Sequence, residues 1–281
     1  MTSPTVTATV TSDQIQVISQ VPIILDQQDI VQRLFPSATT VTQDNDRSMR
    51  IELASMLGAD RGTQDIQATI QLRSDIESVE VGDLSYGFLR FLHAAHTARR
   101  GAVVLDGGAV YLRTPGENAV LVLGAGKSTL AYRAVESGIQ VMADDSLVLD
   151  VSSDPPRASC LSGGVIKSRM GFSTSARPRV MRHGRLIAAI LIQASFSSAV
   201  RVQRASVYDS YSWSWRAVST RLLNSSCFPN SFEQPYTPQL GQSIERTMIA
   251  AHRILTGLPM MHILGDPDGE TLPMTLREIE P

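Results

Sequence analysis

Residues 119–149 read AVLVLGAGKSTLAYRAVESGIQVMADDSLVL, and this stretch constrains the fold more than any other. The apolar run Ala119–Leu123 leads into Gly124, Ala125 and Gly126, then Lys127, Ser128 and Thr129. Lys127–Glu136 has the pattern of a helix, and Gly138 stands where a C′ glycine ends one. "IQVMA" is the next strand and runs into Asp144-Asp145. Strand, glycine turn, helix, strand and acidic pair in this order are expected to put the turn and the carboxylates at the carboxyl ends of neighbouring strands. Open α/β sheets bind ligands there.

Glycines at such a turn let backbone N–H groups wrap a phosphate, and the following helix N-terminus adds its dipole. A lysine in this position reaches the β- and γ-oxygens, and the following hydroxyl holds magnesium. Gly124, Ala125, Gly126, Lys127, Ser128 and Thr129 are therefore the candidate nucleotide contacts. The usual loop, G-x-x-x-x-G-K-[ST], has a glycine where this chain has Leu121. Either Leu121–Leu123 occupy a loop of ordinary length, or they belong to the strand and the loop is about three residues short. Bulky β-formers belong in a strand, so the short loop is the expectation. A hydrogen bond to a charged group contributes roughly 1.5–3 kcal/mol. Two fewer would weaken nucleotide binding by about two orders of magnitude or more.

Composition narrows the partners. The formal net charge of −2 carries no polyelectrolyte signal, so nucleic acid is not expected as a partner. The longest apolar run, Leu186–Ile192, is far below the roughly 20 residues that cross a bilayer. No signal-peptide pattern opens the chain, and a cytoplasmic location with no membrane partner is expected. Cys160 and Cys227 lie far apart without CxxC spacing and read as buried thiols.

Residues 1–13 are rich in Thr and Ser and are expected to be a flexible N-terminus. Residues 14–82 read as a small α+β unit, with "RSMRIELAS" and "DIQATIQLRS" as strands by alternation. Residues 83–281 form the core. Leu84–Arg99 is a helix, with His93 and His96 spaced i, i+3 and read as packing residues rather than metal ligands. "GAVVLD" and "GAVYLRT" are strands, and Pro115–Asn118 turns the second into the strand before the loop. Leu161–Arg185 is glycine-rich, irregular and basic. Lys167 and Arg169 are its best candidates for contacting phosphate or an acidic peptide. "RLIAAILIQASF" and "AVRVQRASV" read as strands. Helices are expected from about Ser214 to Leu223 and over Ser243–Thr256, with "PMMHILG" as the last strand. "YDSYSWSWRAV" holds both tryptophans and is read as core packing, with a peptide-binding or oligomer face as the alternative.

"GAVVLDGGAVYLRTPGENAVLVLGAGKSTLAYRAVESGIQVMADDSLVL" resembles the core of the HPr serine kinase/phosphorylase superfamily, above all its shorter HPr-kinase-like members. Those proteins show an apolar strand with His-Gly or His-Ala, a hairpin, a loop ending in GxGKST, and a glycine before "ADD" or "SDD". "GGVIKS", "RLIAAILIQASF" and "LTGLPMMHILGDPDG" are similar to later segments, so the likeness spans roughly Leu84–Pro267. It implies an α/β fold: a P-loop-containing HPr kinase/PEP carboxykinase-like core, a mixed β-sheet flanked by helices. It also implies an ATP- and Mg2+-dependent phosphotransferase acting on a hydroxyl, of serine in a peptide or protein or of a small metabolite. Some such members serve peptide natural-product biosynthesis, lasso peptides included.

Carried over residue by residue, Gly124, Gly126 and Lys127 would bind phosphates and Ser128 magnesium. Asp144 would be the general base, and Asp145 would assist it or bind metal through water. Asp106 stands where the family has His. No Glu occurs between Glu136 and Glu233, so the metal-binding Glu of the bifunctional enzymes has no counterpart, and the phosphorylase reaction is not expected. The acceptor and any homo-oligomer are left open by the sequence. The alternative function is a nucleotide-binding or scaffold protein without transfer activity.

Overall fold

The computed structural model describes residues 3–11, 13–25, 38–53, 66–112, 117–143, 145–162, 180–193, 200–223, 242–265 and 271–279. Among the described residues, the elements up to residue 80 are strands. They are β1 (Thr5–Val10), β2 (Gln14–Ser19), β3 (Ile23–Ile24), β4 (Ala38–Asn45), β5 (Ser48–Leu53), β6 (Ile66–Gln71) and β7 (Val79–Glu80). Five of them form an antiparallel sheet in the order β4-β5-β2-β1-β6, while β3 and β7 make a short parallel pair.

The flexible N-terminus expected over residues 1–13 is corrected here, because β1 lies between β2 and β6. Val6, Ala8 and Val10 are buried and the intervening threonines face outward. Threonine is a good strand former, and its outward side is what made the segment read as polar and unstructured. Of the expected α+β unit, the described regular elements up to Glu80 are strands. Its boundary at residue 82 falls inside a helical turn. That turn, α1 (Val81–Leu84), continues through a π-helical stretch (Ser85–Leu89) into α2 (Arg90–Arg99).

The rest of the described chain runs β8 (Ala102–Asp106), β9 (Gly108–Tyr111), β10 (Asn118–Gly124), α3 (Lys127–Glu136), β11 (Val141–Ala143), β12 (Ser146–Asp150), β13 (Arg157–Ser162) and β14 (Val180–Gln193). It ends with β15 (Arg201–Arg204), α4 (Val207–Leu223), α5 (Gln242–Gly257), β16 (Met260–Leu264) and α6 (Thr271–Ile279). Nine strands make one mixed sheet, ordered β11-β9-β10-β14-β13-β12-β8, with β16 also on β14 and β15 on β16. β14 is long enough to serve two neighbours on one side. Its first half pairs antiparallel with β13 and its second half parallel with β16.

Helices cover both faces, and the alternation of β10 explains how. Leu121 and Leu123 join the core that includes α2, α4 and α5 residues, such as Leu92, Val218 and Met248. Val120 and Val122 join the other core, with Leu130 and Ala134 of α3 and Leu272 and Leu276 of α6. A strand buried on both faces reads as an unbroken apolar run. Each such side chain contributes about 1.5–3 kcal/mol by its burial.

Several boundaries differ from expectation. α4 starts at Val207, seven residues before Ser214, because Ser206 caps it. The Ser206 Oγ accepts from the Asp209 N–H at 3.0 Å, an N-cap bond, and donates to Asp209 Oδ2 at 2.6 Å. The strand expected at "AVRVQRASV" is confined to β15. The irregular span Leu161–Arg185 is narrowed from both ends by β13 and β14, and residues 163–179 lie outside the described set. α6 carried no sequence expectation. Among the described residues no helix is long and apolar enough to cross a membrane.

Candidate active site

β10 ends in a turn of only two residues, Ala125 and Gly126, before α3 begins at Lys127. Leu121, Val122 and Leu123 are buried strand residues. The shortened loop expected from Leu121 is therefore what the backbone adopts. Gly124 and Gly126 have φ of 93° and 103°, conformations open to glycine at little cost. A Cβ on Gly124 would lie 2.0 Å from the Ile192 carbonyl oxygen, so β14 packs directly on the turn.

The turn has few donors left for a ligand. The Ala125 N–H is spent on the Ile192 carbonyl at 3.0 Å. The first α-helical bond of α3 runs from Leu130 N–H to the Gly126 carbonyl at 2.9 Å. The N–H groups of Lys127, Ser128 and Thr129 precede it and have no carbonyl four residues back inside the helix. Gly126, at the N-cap position, has no side chain to cap this end, and Ala125 and Gly126 are exposed among the described residues. The result is an open helix N-terminus, which favours an anion.

Lys127 turns inward from this end. Its Nζ lies 3.7 Å from Asp106 Oδ1 and donates to the Gly124 carbonyl at 3.4 Å. Asp106 closes β8, whose register sets it opposite Ser146 of β12. The Gly107 N–H donates to the Asp145 carbonyl at 2.9 Å, which holds the two strand ends together. The Asp106 carboxyl is pushed above the usual range, first by burial. Lys127 acts against that shift, and Asp145 adds to it.

Two arginines complete the cluster. Arg221 reaches in from α4 on a buried side chain. Its Nη2 is 3.2 Å from Asp106 Oδ1, 2.9 Å from Asp145 Oδ2, 3.4 Å from the Asp145 carbonyl and 2.7 Å from Ser146 Oγ. One NH2 group has two hydrogens, so these four contacts are shared. Arg90 of α2 adds a second donor to Asp145 Oδ2 at 3.3 Å. Lys127, Asp106, Arg221, Asp145 and Arg90 thus form one chain of ion pairs, and the Asp145 side chain is its most exposed member, at 42%.

Of the residues expected from sequence, Gly124–Thr129 and Asp145 meet at this end of the sheet. Asp144, Lys167 and Arg169 lie outside the described residues, as does Cys227. Arg90 and Arg221 were not anticipated, and Asp106 was noted only as a departure. His93 and His96 are buried in α2, and burial, with His96 and Arg90 nearby, holds His93 down to about 3. Among the described residues no three His, Cys, Asp or Glu side chains group as a metal site. Magnesium would need oxygens from a bound phosphate beside Ser128. The core-packing expectation for both tryptophans holds for Trp213, which packs on the core. Tyr208, Tyr211 and Trp215 of the same helix are exposed.

No protein-family model and no curated protein matches the chain. Among solved structures it is similar to the HPr(Ser) kinase/phosphatase from Coxiella burnetii, at 12% identity and a TM-score of 0.29. The match covers 62% of this chain and 93% of that one. A similarity of that size decides neither fold nor activity.

Proposed function

We propose that the chain is an ATP-dependent phosphotransferase acting on a hydroxyl, of a peptide or protein serine or of a small metabolite. The observation that carries this reading is the convergence at one end of the sheet. An uncapped, exposed helix N-terminus with Lys127 sits one ion pair from Asp106, and Arg221 links Asp106 to the exposed carboxylate of Asp145.

In this reading the N–H groups at the start of α3 and Lys127 hold the nucleotide phosphates. The described cluster supports an anion, since Arg90, Lys127 and Arg221 outnumber Asp106 and Asp145. The Ser128 hydroxyl, partly exposed, would be the protein's ligand for magnesium, which would neutralise phosphate charge. The acceptor hydroxyl attacks the γ-phosphorus as its bond to the ADP oxygen breaks, and a carboxylate takes the hydroxyl proton. Asp144 is assigned that proton by the sequence resemblance. Asp145, gripped by Arg90 and Arg221, would assist that base or help to hold magnesium.

The test is magnesium-dependent ADP release with a serine-containing acceptor, compared with Lys127→Ala, Asp144→Asn and Asp145→Asn. Rates that fall in all three variants support transfer at this site. Equal rates in all four proteins refute it.

A second reading, nucleotide binding without transfer, is favoured by the two-residue turn and by the engagement of Lys127 with Asp106. Saturable Mg-ATP binding with no turnover on any acceptor selects it.

A further inference from the structure

Among the described residues, β6 ends the N-terminal sheet with one hydrogen-bonding edge unpaired. The Leu72 N–H donates to the Pro4 carbonyl at 2.8 Å, next to the Thr5↔Gln71 pair. Hydrogen-bonded pairs alternate along an antiparallel ladder. Ile66, Ala68 and Ile70 therefore exchange their bonds with β1. Gln67, Thr69 and Gln71 turn their N–H and C=O groups to the open side.

Native sheets blunt such edges with charge, proline or bulges. The opposite edge, β4, carries register shifts at Ala38/Thr40 and Gln43/Asn45, and Asp44 there pairs with Arg50 at 3.6 Å. β6 has none of these. Its sequence, IQATIQ, holds no charge and no proline, and its register with β1 is unbroken.

We propose that β6 is a dimerisation strand, pairing antiparallel with β6 of a second copy of this chain about a twofold axis at Thr69. The strand is self-complementary in that register. Thr69 meets Thr69, Gln67 meets Gln71 and Ala68 meets Ile70. The residues whose backbone groups face the open side then oppose one another, so every such N–H finds a C=O. The faces match as well. Ala68 and Ile70 extend the inner apolar face, while Gln67, Thr69 and Gln71 extend the outer Thr/Gln face. A one-residue slip sets Ile70 against Thr69 and Ala68 against Gln71, apolar against polar. The neutral, symmetric pattern fits a second copy, and isologous pairing closes after two chains.

The experiment is sedimentation velocity on the full chain over a range of micromolar concentrations, with amide hydrogen exchange on the same samples. Wild type is expected to reach twice the 30.5 kDa chain mass. Thr69→Lys and Thr69→Glu are each expected to stay monomeric, because like charges face each other across the axis. An equimolar mixture of the two restores the dimer. In wild type the Gln67, Thr69 and Gln71 amides gain protection as concentration rises, while Ala68 and Ile70 are protected by β1 throughout. That alternation reads out the edge even where a variant fails to fold. A monomeric wild type, a dimer that survives both substitutions, or protection without alternation overturns the proposal. So does a wild type whose edge amides are protected only by an added extended peptide.

Discussion

Lys127 Nζ lies 3.7 Å from Asp106 Oδ1, so the lysine at the glycine turn is already engaged by a carboxylate of the same chain. An anion arriving at α3 competes with Asp106 for that cation. Asp106→Asn keeps an acceptor but removes the charge. It is expected to tighten sulfate or Mg-ATP binding by up to about fivefold, the upper end for a partly exposed ion pair. Isothermal titration reads this out, and weaker binding in the variant contradicts it.

Arg221 joins α4 to both strand ends through Asp106, Asp145 and Ser146. Arg221→Ala leaves Asp106 with one cation fewer in a largely buried site. Breaking a buried pair costs about 3–5 kcal/mol, and the partial exposure of the carboxylates argues for the low end, about 3 kcal/mol. Arg221→Lys keeps the charge without the guanidinium's reach and is expected to fall between. Urea unfolding measures both, and wild-type stability in Arg221→Ala would contradict the role.

Gly124 and Gly126 share a positive φ but not a neighbourhood. A Cβ at Gly124 meets backbone of Ile192 at 2.0 Å, whereas at Gly126 its nearest contact is Ile192 Cγ2 at 3.5 Å. Gly126→Ala is expected to cost about 1–2 kcal/mol of backbone strain. Gly124→Ala adds overpacking of about 1–3 kcal/mol on top. Denaturant midpoints test the order, and equal losses would place β14 farther from the turn.

His93 makes stability fall in acid. Its folded value, about 3, lies below the ordinary 6.5, so the unfolded chain binds the proton more readily. The contribution is fully present above 6.5 and is lost as pH falls from there through about 3. Its slope approaches about 1.4 kcal/mol per pH unit. Unfolding curves across that window are expected to be flatter for His93→Leu than for wild type. Parallel curves would show that His93 is not the group responsible.

Much of the core was legible because its signals are local. Leu121 read as strand rather than loop because β-branched and aliphatic neighbours surround it, and the two-residue turn follows from that reading. β1 was not legible although Val6, Ala8 and Val10 alternate, because the intervening threonines make the segment polar in composition. Arg221 was missed because its partners lie far along the chain, 115 residues away for Asp106. A signal was nonetheless present. Arg221 shares a helix face with Ala217, Val218 and Leu222, all buried, and a cation on an apolar face demands a buried partner. Arg90, directly before the buried Phe91 and Leu92, gave a similar hint.

In the proposed function the N-terminus of α3 holds nucleotide phosphates with Lys127. Calorimetric titration of Mg-ATP into wild type and Lys127→Ala tests it most directly. Saturable binding to wild type is expected, weakened at least about tenfold in the variant, the loss of one charge-assisted contact of roughly 1.5–3 kcal/mol. Equal affinities, or no binding to wild type at millimolar Mg-ATP, would contradict it.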